Sequence, residues 1–177
     1  MEIVSIFADK LTAFRYETVQ PDDFSRLFSQ WQDPEYLFGF FSEHIEDLQG
    51  GFFGAISLHS AIRQTRDEAR RLETTLLQFA SGKPENLNSI FEPLKLEEPI
   101  LLTRTKAKGD KPKSWLRIYA IKVESNVYVI AGGAIKLTRT MQERSHTRRE
   151  LEKLDRCKAF LKEQGIIDGG GISELVL

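Results

Sequence analysis

Seven basic side chains fall between Trp115 and Arg149: Arg117, Lys122, Lys136, Arg139, Arg144, Arg148 and Arg149, against only Glu124 and Glu143. The run reads as two strands, a basic loop and the start of a helix. Alternation along 115–123 puts Trp115, Arg117, Tyr119, Ile121 and Val123 on one face and Leu116, Ile118, Ala120 and Lys122 on the other. Lys136 and Thr138 close the partner strand, and Arg139, Arg144 and His146 lie in the loop to the helix. A cationic strand surface beside an aromatic ring suits a phosphodiester backbone and an unstacked base. Trp115, Tyr119, Thr138 and Arg144 are the candidate contact residues. A competing reading has Arg117 and Lys122 simply paired with acids from the first half of the chain.

Other chemistries lack their residues. One cysteine, Cys157, supports neither an intrachain disulfide nor a Cys-rich zinc site, and suits a reducing compartment. His44, His59 and His146 are the three histidines, and no two stand at metal-ligand spacing. There is no H-E-x-x-H, calcium-loop or G-x-S-x-G motif. "GGAIKLT" lacks the G-x-x-x-x-G-K-[ST] frame, so Gly132-Gly133 reads as a bulge in a bending strand.

The elements that position the basic run are legible in outline. "EIVSIFADKLTAFRYET" predicts a hairpin turning at Asp9-Lys10. Pro21, Asp22 and Asp23 open a helix with Phe24, Leu27, Phe28 and Trp31 on one side. Residues 55–80 predict a long amphipathic helix ended by "SGKP", packed as an arm or facing a partner. After a connector, "ILLTRTKAKGDKPKSWLRIYAIK" gives two strands. Glu124-Ser125-Asn126 turns into "VYVIAGGAIKL", and three residues permit only an antiparallel pairing. Thr147-x-x-Glu150 is a capping-box pattern ahead of Leu151, Leu154, Cys157, Phe160 and Leu161. "DGGGISELVL" reads as a flexible glycine run and a short strand. The expected fold is α+β: an N-terminal hairpin and helices, then a small antiparallel sheet with a C-terminal helix packed on it.

Charge divides the chain. Residues 1–98 carry 9 Lys/Arg and 17 Asp/Glu, a net −8; residues 99–177 carry 16 and 9, a net +7. An acidic region followed by a basic one, within one compact domain, points to an anionic partner for the basic half or to attraction between the halves. The acidic stretches 33–47 and 92–98 are expected to lie over part of the cationic surface. No apolar run is long enough to span a membrane, and the N-terminus lacks a basic region before its apolar stretch, so a cytoplasmic protein is expected.

The segments "SWLRIYAIK", "VYVIAGGAIKLTRTM" and "HTRRELEKLDRCKAFL" resemble, in order and spacing, the C-terminal half of RelE/ParE-superfamily toxins, particularly the HigB-like branch. Arg117 matches the strand arginine, Lys136 the first lysine and Thr138 the threonine of a K-K-T-x-K-x-P segment. Leu137 replaces the second lysine, and Arg139 follows as its substitute. The first half is longer than is usual there, and acidic. The resemblance implies an endoribonuclease that cuts mRNA, commonly on the ribosome, without metal or other cofactor, and is neutralised by an antitoxin. Lys136 or Lys122 then takes the ribose 2′-OH proton, Arg117 and Arg139 hold the phosphate, Tyr119 stacks on a base, and His146 serves as acid. The alternative is a RelE-like module that has lost catalysis and binds a protein or nucleic acid.

Overall fold

The computed structural model describes residues 1–140 and 143–176. Its centre is "VYVIAGGAI", nine residues without a charge, which form β6 (Val127–Ile135) and are buried along their whole length. Such a run is stable only where both faces of a sheet are covered. Antiparallel β5 (Leu116–Glu124) flanks it on one side, through the turn at Ser125-Asn126, where Asn126 takes φ 61°. β4 (Thr103–Lys108) and the two-residue β3 (Glu92–Pro93) extend the sheet outward, both antiparallel. On the other side β6 pairs in parallel with β2 (Leu11–Arg15), which carries β1 (Glu2–Phe7). The order is β1-β2-β6-β5-β4-β3. The expected hairpin and antiparallel sheet are thus parts of one mixed sheet.

Helices cover both faces. α1 (Asp23–Gln32), α2 (Pro34–Glu43), α3 (Ile45–Gly50) and α4 (Leu58–Ala80) precede β3. Asp22 caps α1, its carboxylate accepting from Ser25 N at 3.0 Å, and Pro34 opens α2. Leu27, Phe28, Trp31, Leu37, Phe41, Leu72 and Leu76 form one core with Leu11, Leu116, Ile118 and Ile130 of the sheet. α4 is therefore a core helix rather than an arm. The opposite face packs Tyr119, Ile121, Val129 and Ala131 under Leu154, Cys157 and Leu161 of α5 (Ser145–Glu163) and Ile172 of α6 (Gly169–Leu175).

Three local expectations change. The extra residue of the bulge is Ala131, between the Tyr119–Gly132 and Ala120–Ile130 pairs. Its carbonyl accepts from the Tyr16 hydroxyl at 2.6 Å. Gly132 beside it lets α5 approach, because a Cβ there would stand 2.1 Å from Glu150 Oε2. The capping box does not form: α5 starts at Ser145 after Arg144, and Thr147 Oγ1 donates back to the Arg144 carbonyl at 2.9 Å. Glu150 instead accepts from Gly133 N at 3.0 Å, drawn to an amide of the sheet. The glycine tail is helical, with Asp168 accepting from Gly171 N at 3.0 Å, and Val176 bridges to Ile3. Among the described residues, no helix is long and apolar enough to cross a membrane.

Candidate nucleic-acid interface

β4, "TRTKAK", alternates threonine or alanine with a cation. Its register on β5 places Lys106 beside Tyr119 and Lys108 beside Arg117. Arg104, Lys106 and Lys108 therefore share one face with Arg117 and Tyr119, at intervals of roughly 6.6–6.8 Å along the strand. Lys95 and Glu92 from the β3 side, Lys136 from the end of β6, and Leu151 and Asp155 from α5 complete a cleft of about 430 Å³. Six cations and two carboxylates line it.

The cations differ in how they are satisfied. Arg104 is held by Glu98 at 2.7 Å and Asp155 at 2.6 Å, and Lys106 lies 3.6 Å from Glu92. Lys95, Lys108, Arg117 and Lys136 make no ion pair among the described residues. Arg117 Nη1 donates instead to the carbonyls of Ser114 and Leu116, both at 2.8 Å. Lys136 Nζ donates to the Arg139 carbonyl at 2.7 Å. Burial is the first cause that pulls the Lys136 ammonium below its usual range, followed by the positive charges of Arg117 and Lys106. Burial also lowers Arg117 and raises the Tyr119 phenol. A lysine of this kind can release its proton more readily than one in water. Lys108 directly opposite Arg117 is a like-charge cross-strand pair, which costs stability.

The cleft thus assembles Arg117, Tyr119 and Lys136 from the sequence-derived set and separates the rest. Trp115 precedes β5 and escapes its alternation: it is fully buried among Phe41 and Phe53, its indole N–H donating to Thr65 Oγ1 at 2.9 Å. It is closed to any base. Tyr119 forms the cleft wall but is only 1 % exposed, so no ring face is open for stacking. Lys122 points to the opposite face, 6.0 Å from the Tyr128 ring centroid. Arg144 is bound to Asp47, with Nε 2.7 Å from Oδ2, and the Arg139 side chain lines a depression beside that pair. Thr138 Oγ1 donates to the Thr140 carbonyl at 3.1 Å. Among the described residues, neither Arg117 nor Lys122 makes the ion pair with first-half acids that the competing reading required. Of the acidic stretches, Glu92 lies in the cleft and Glu98 holds Arg104, whereas Asp47 lies elsewhere.

His146 is on the other side of α5. It packs edge-on to Phe40, with His44 4.9 Å away, in a polar recess that also holds Arg26, Tyr36, Glu43, Arg149 and Glu150. Its Nε2–H donates to the Ile135 carbonyl at 3.0 Å. Burial, then His146 itself, lowers the pKa of His44. The two histidines stand 102 positions apart in the chain, so spacing gave no signal of their meeting. The cations that sequence reasoning left out, Arg104, Lys106 and Lys108, had one: strict alternation in "TRTKAK". Comparison with known proteins finds no family model, no curated protein and no solved structure that matches the chain.

Proposed function

We propose that the cleft binds the backbone of single-stranded RNA and that the protein cuts it, as a RelE/HigB-like toxin acting on mRNA in the cytoplasm. The observation that supports this reading is the meeting of Arg117 and Lys136 in one cleft with Lys106 and Lys108. These are the two residues that the resemblance singles out first, and neither has a carboxylate partner among the described residues. In the reaction, Lys136 as a neutral amine takes the ribose 2′-OH proton. The 2′-oxygen attacks phosphorus, Arg117 steadies the dianionic phosphorane, and the P–O5′ bond breaks as the 5′-oxygen takes a proton from water. A ribosome carrying mRNA and a neutralising antitoxin are the partners that this reading implies.

A second reading, RNA binding without cleavage, is favoured by one observation: His146, the acid expected from the sequence, lies outside the cleft lining. Two measurements separate the readings. Filter binding of single-stranded RNA should weaken steeply from low to physiological salt, as phosphates release their counterions. Expression of the protein should arrest growth, with Lys136→Ala relieving the arrest. Salt-sensitive binding without arrest or cleavage leaves the binding module, and no binding at any salt removes both.

A further inference from the structure

Between β4 and β5 the chain runs through residues 109–114, "GDKPKS", across the side of α4. Arg71 of α4 grips Asp110 by two hydrogen bonds, at 2.7 and 3.2 Å. One turn earlier on the helix, Glu68 enters the space beneath this segment. It is 0 % exposed, and neither carboxyl oxygen has a well-formed hydrogen bond; the Ser114 hydroxyl is the one donor beside it among the described residues. Contact with the segment is close enough to require glycine: a Cβ on Gly109 would stand 1.6 Å from Glu68 Oε1 and 2.5 Å from Ser114 Oγ.

A buried carboxylate with no ion pair and no more than one hydroxyl donor is costly, and such groups neutralise by taking a proton. Burial is the main influence that raises the Glu68 pKa, and Asp110 pushes the same way; the Ser114 hydroxyl, as a hydrogen-bond donor, and the charges of Lys111 and Arg71 pull back. Ser114 ties this carboxyl to the cleft, because its carbonyl accepts from Arg117 Nη1 and its hydroxyl accepts from Leu116 N at 3.1 Å. Lys108, at the other end of the segment, is itself a cleft residue.

We infer that Glu68 is a proton-operated positioning residue for the cleft: neutral, it lets the 109–114 segment close on α4 and hold Arg117; ionised, it drives that segment into water. The functional half of this inference rests on the RNA reading, and the latch itself does not. The closed form binds the proton more tightly than the open form. Closure is therefore complete below the ordinary glutamate range and is lost as pH rises through the raised value.

The test is tryptic cleavage after Lys108 and Lys113 on the whole protein, from about pH 5 to about pH 8, normalised to a free peptide of the same sequence. Wild-type cleavage should rise by up to about tenfold per pH unit between the ordinary glutamate range and the raised value and level off above it, and Glu68→Gln should flatten that rise. Arg71→Gln, which loosens the clamp but leaves Glu68 intact, should raise cleavage at every pH and keep the pH dependence. A flat wild-type profile overturns the latch without recourse to a variant, and so does an unchanged slope in folded Glu68→Gln. RNA affinity should follow the same profile in the wild type and lose it in Glu68→Gln. A pH-dependent latch on a protein that binds no RNA at any pH keeps the latch and overturns the RNA reading.

Discussion

Two groups of charges flank α5, and they are built on opposite rules. On one side Asp23, 2 % exposed, holds Arg26 at 2.8 Å and Lys153 at 2.7 Å. Lys153 also holds Glu150 at 2.9 Å, and Glu150 accepts from Gly133 N. Every one of these charges has a partner. On the other side Lys95, Lys108, Arg117 and Lys136 share a cleft without one among the described residues. The buried group joins α1, α5 and β6, so its matched charges are a joint of the fold. The cleft group draws its backbone bonds from the chain but finds too few carboxylates there. On the reading proposed above, a phosphate backbone supplies the missing negative charge.

The largest effect that separates the two is on stability. Asp23→Ala strands Lys153 and Arg26 in a poorly solvated joint and should destabilise the protein by about 3–5 kcal/mol in chemical denaturation. Lys136→Ala should stay within about 0.5 kcal/mol of wild type. Equal losses for both would dissolve the contrast, since Lys136 would then be part of the joint as well.

Binding should reverse the order. Lys108→Ala and Lys136→Ala should each lower the salt slope of RNA affinity by about one unit, with little discrimination among sequences. Lys108→Ala should also relieve the repulsion across the strand pair and gain roughly 0.2–1 kcal/mol of stability. A variant that is more stable and binds less is the signature of a charge kept for a ligand. Cleavage should rise with pH as Lys136 loses its proton, over a range below that of an exposed lysine, because burial and Arg117 lower its pKa. Activity that is flat across that range would remove Lys136 as the base.

Periodicity and short loops were enough for the elements: β5, β6 and α4 lie where alternation, the three-residue turn and the 3.6-residue repeat put them. Alternation failed for Trp115 because the pleat begins one residue later, at Leu116, and the indole finds its hydrogen bond on α4. The capping-box reading failed at Glu150 for a similar reason. A strand amide bent outward by the bulge competes for the carboxylate, and sequence pattern does not register an acceptor's tertiary options. Lys122 and Lys136 looked equivalent as candidate bases. Only the pairing of β5 with β6 sends one to each face of the sheet. Half of the cleft, the β4 cations, was readable by parity alone once "TRTKAK" was known to pair with β5.

The smallest effect concerns the two carboxylates inside the cleft. Glu92 lies 3.6 Å from Lys106, and Asp155 holds one side of Arg104. Both are well exposed, and pairs of this kind are worth about 0–1 kcal/mol each. Glu92→Gln and Asp155→Asn should therefore tighten RNA binding at low salt by no more than about fivefold each. The gain should vanish at physiological salt, as screening weakens both the mask and the ligand. Reversing Glu43, Glu46 and Asp47 should leave affinity where it was. Asp47 is spent on Arg144, and Glu43 lines the recess with His44 rather than the cleft. Tightening by that triple reversal, with none from Glu92→Gln, would move the RNA path out of the cleft and over the Arg139–Arg144 side of the molecule.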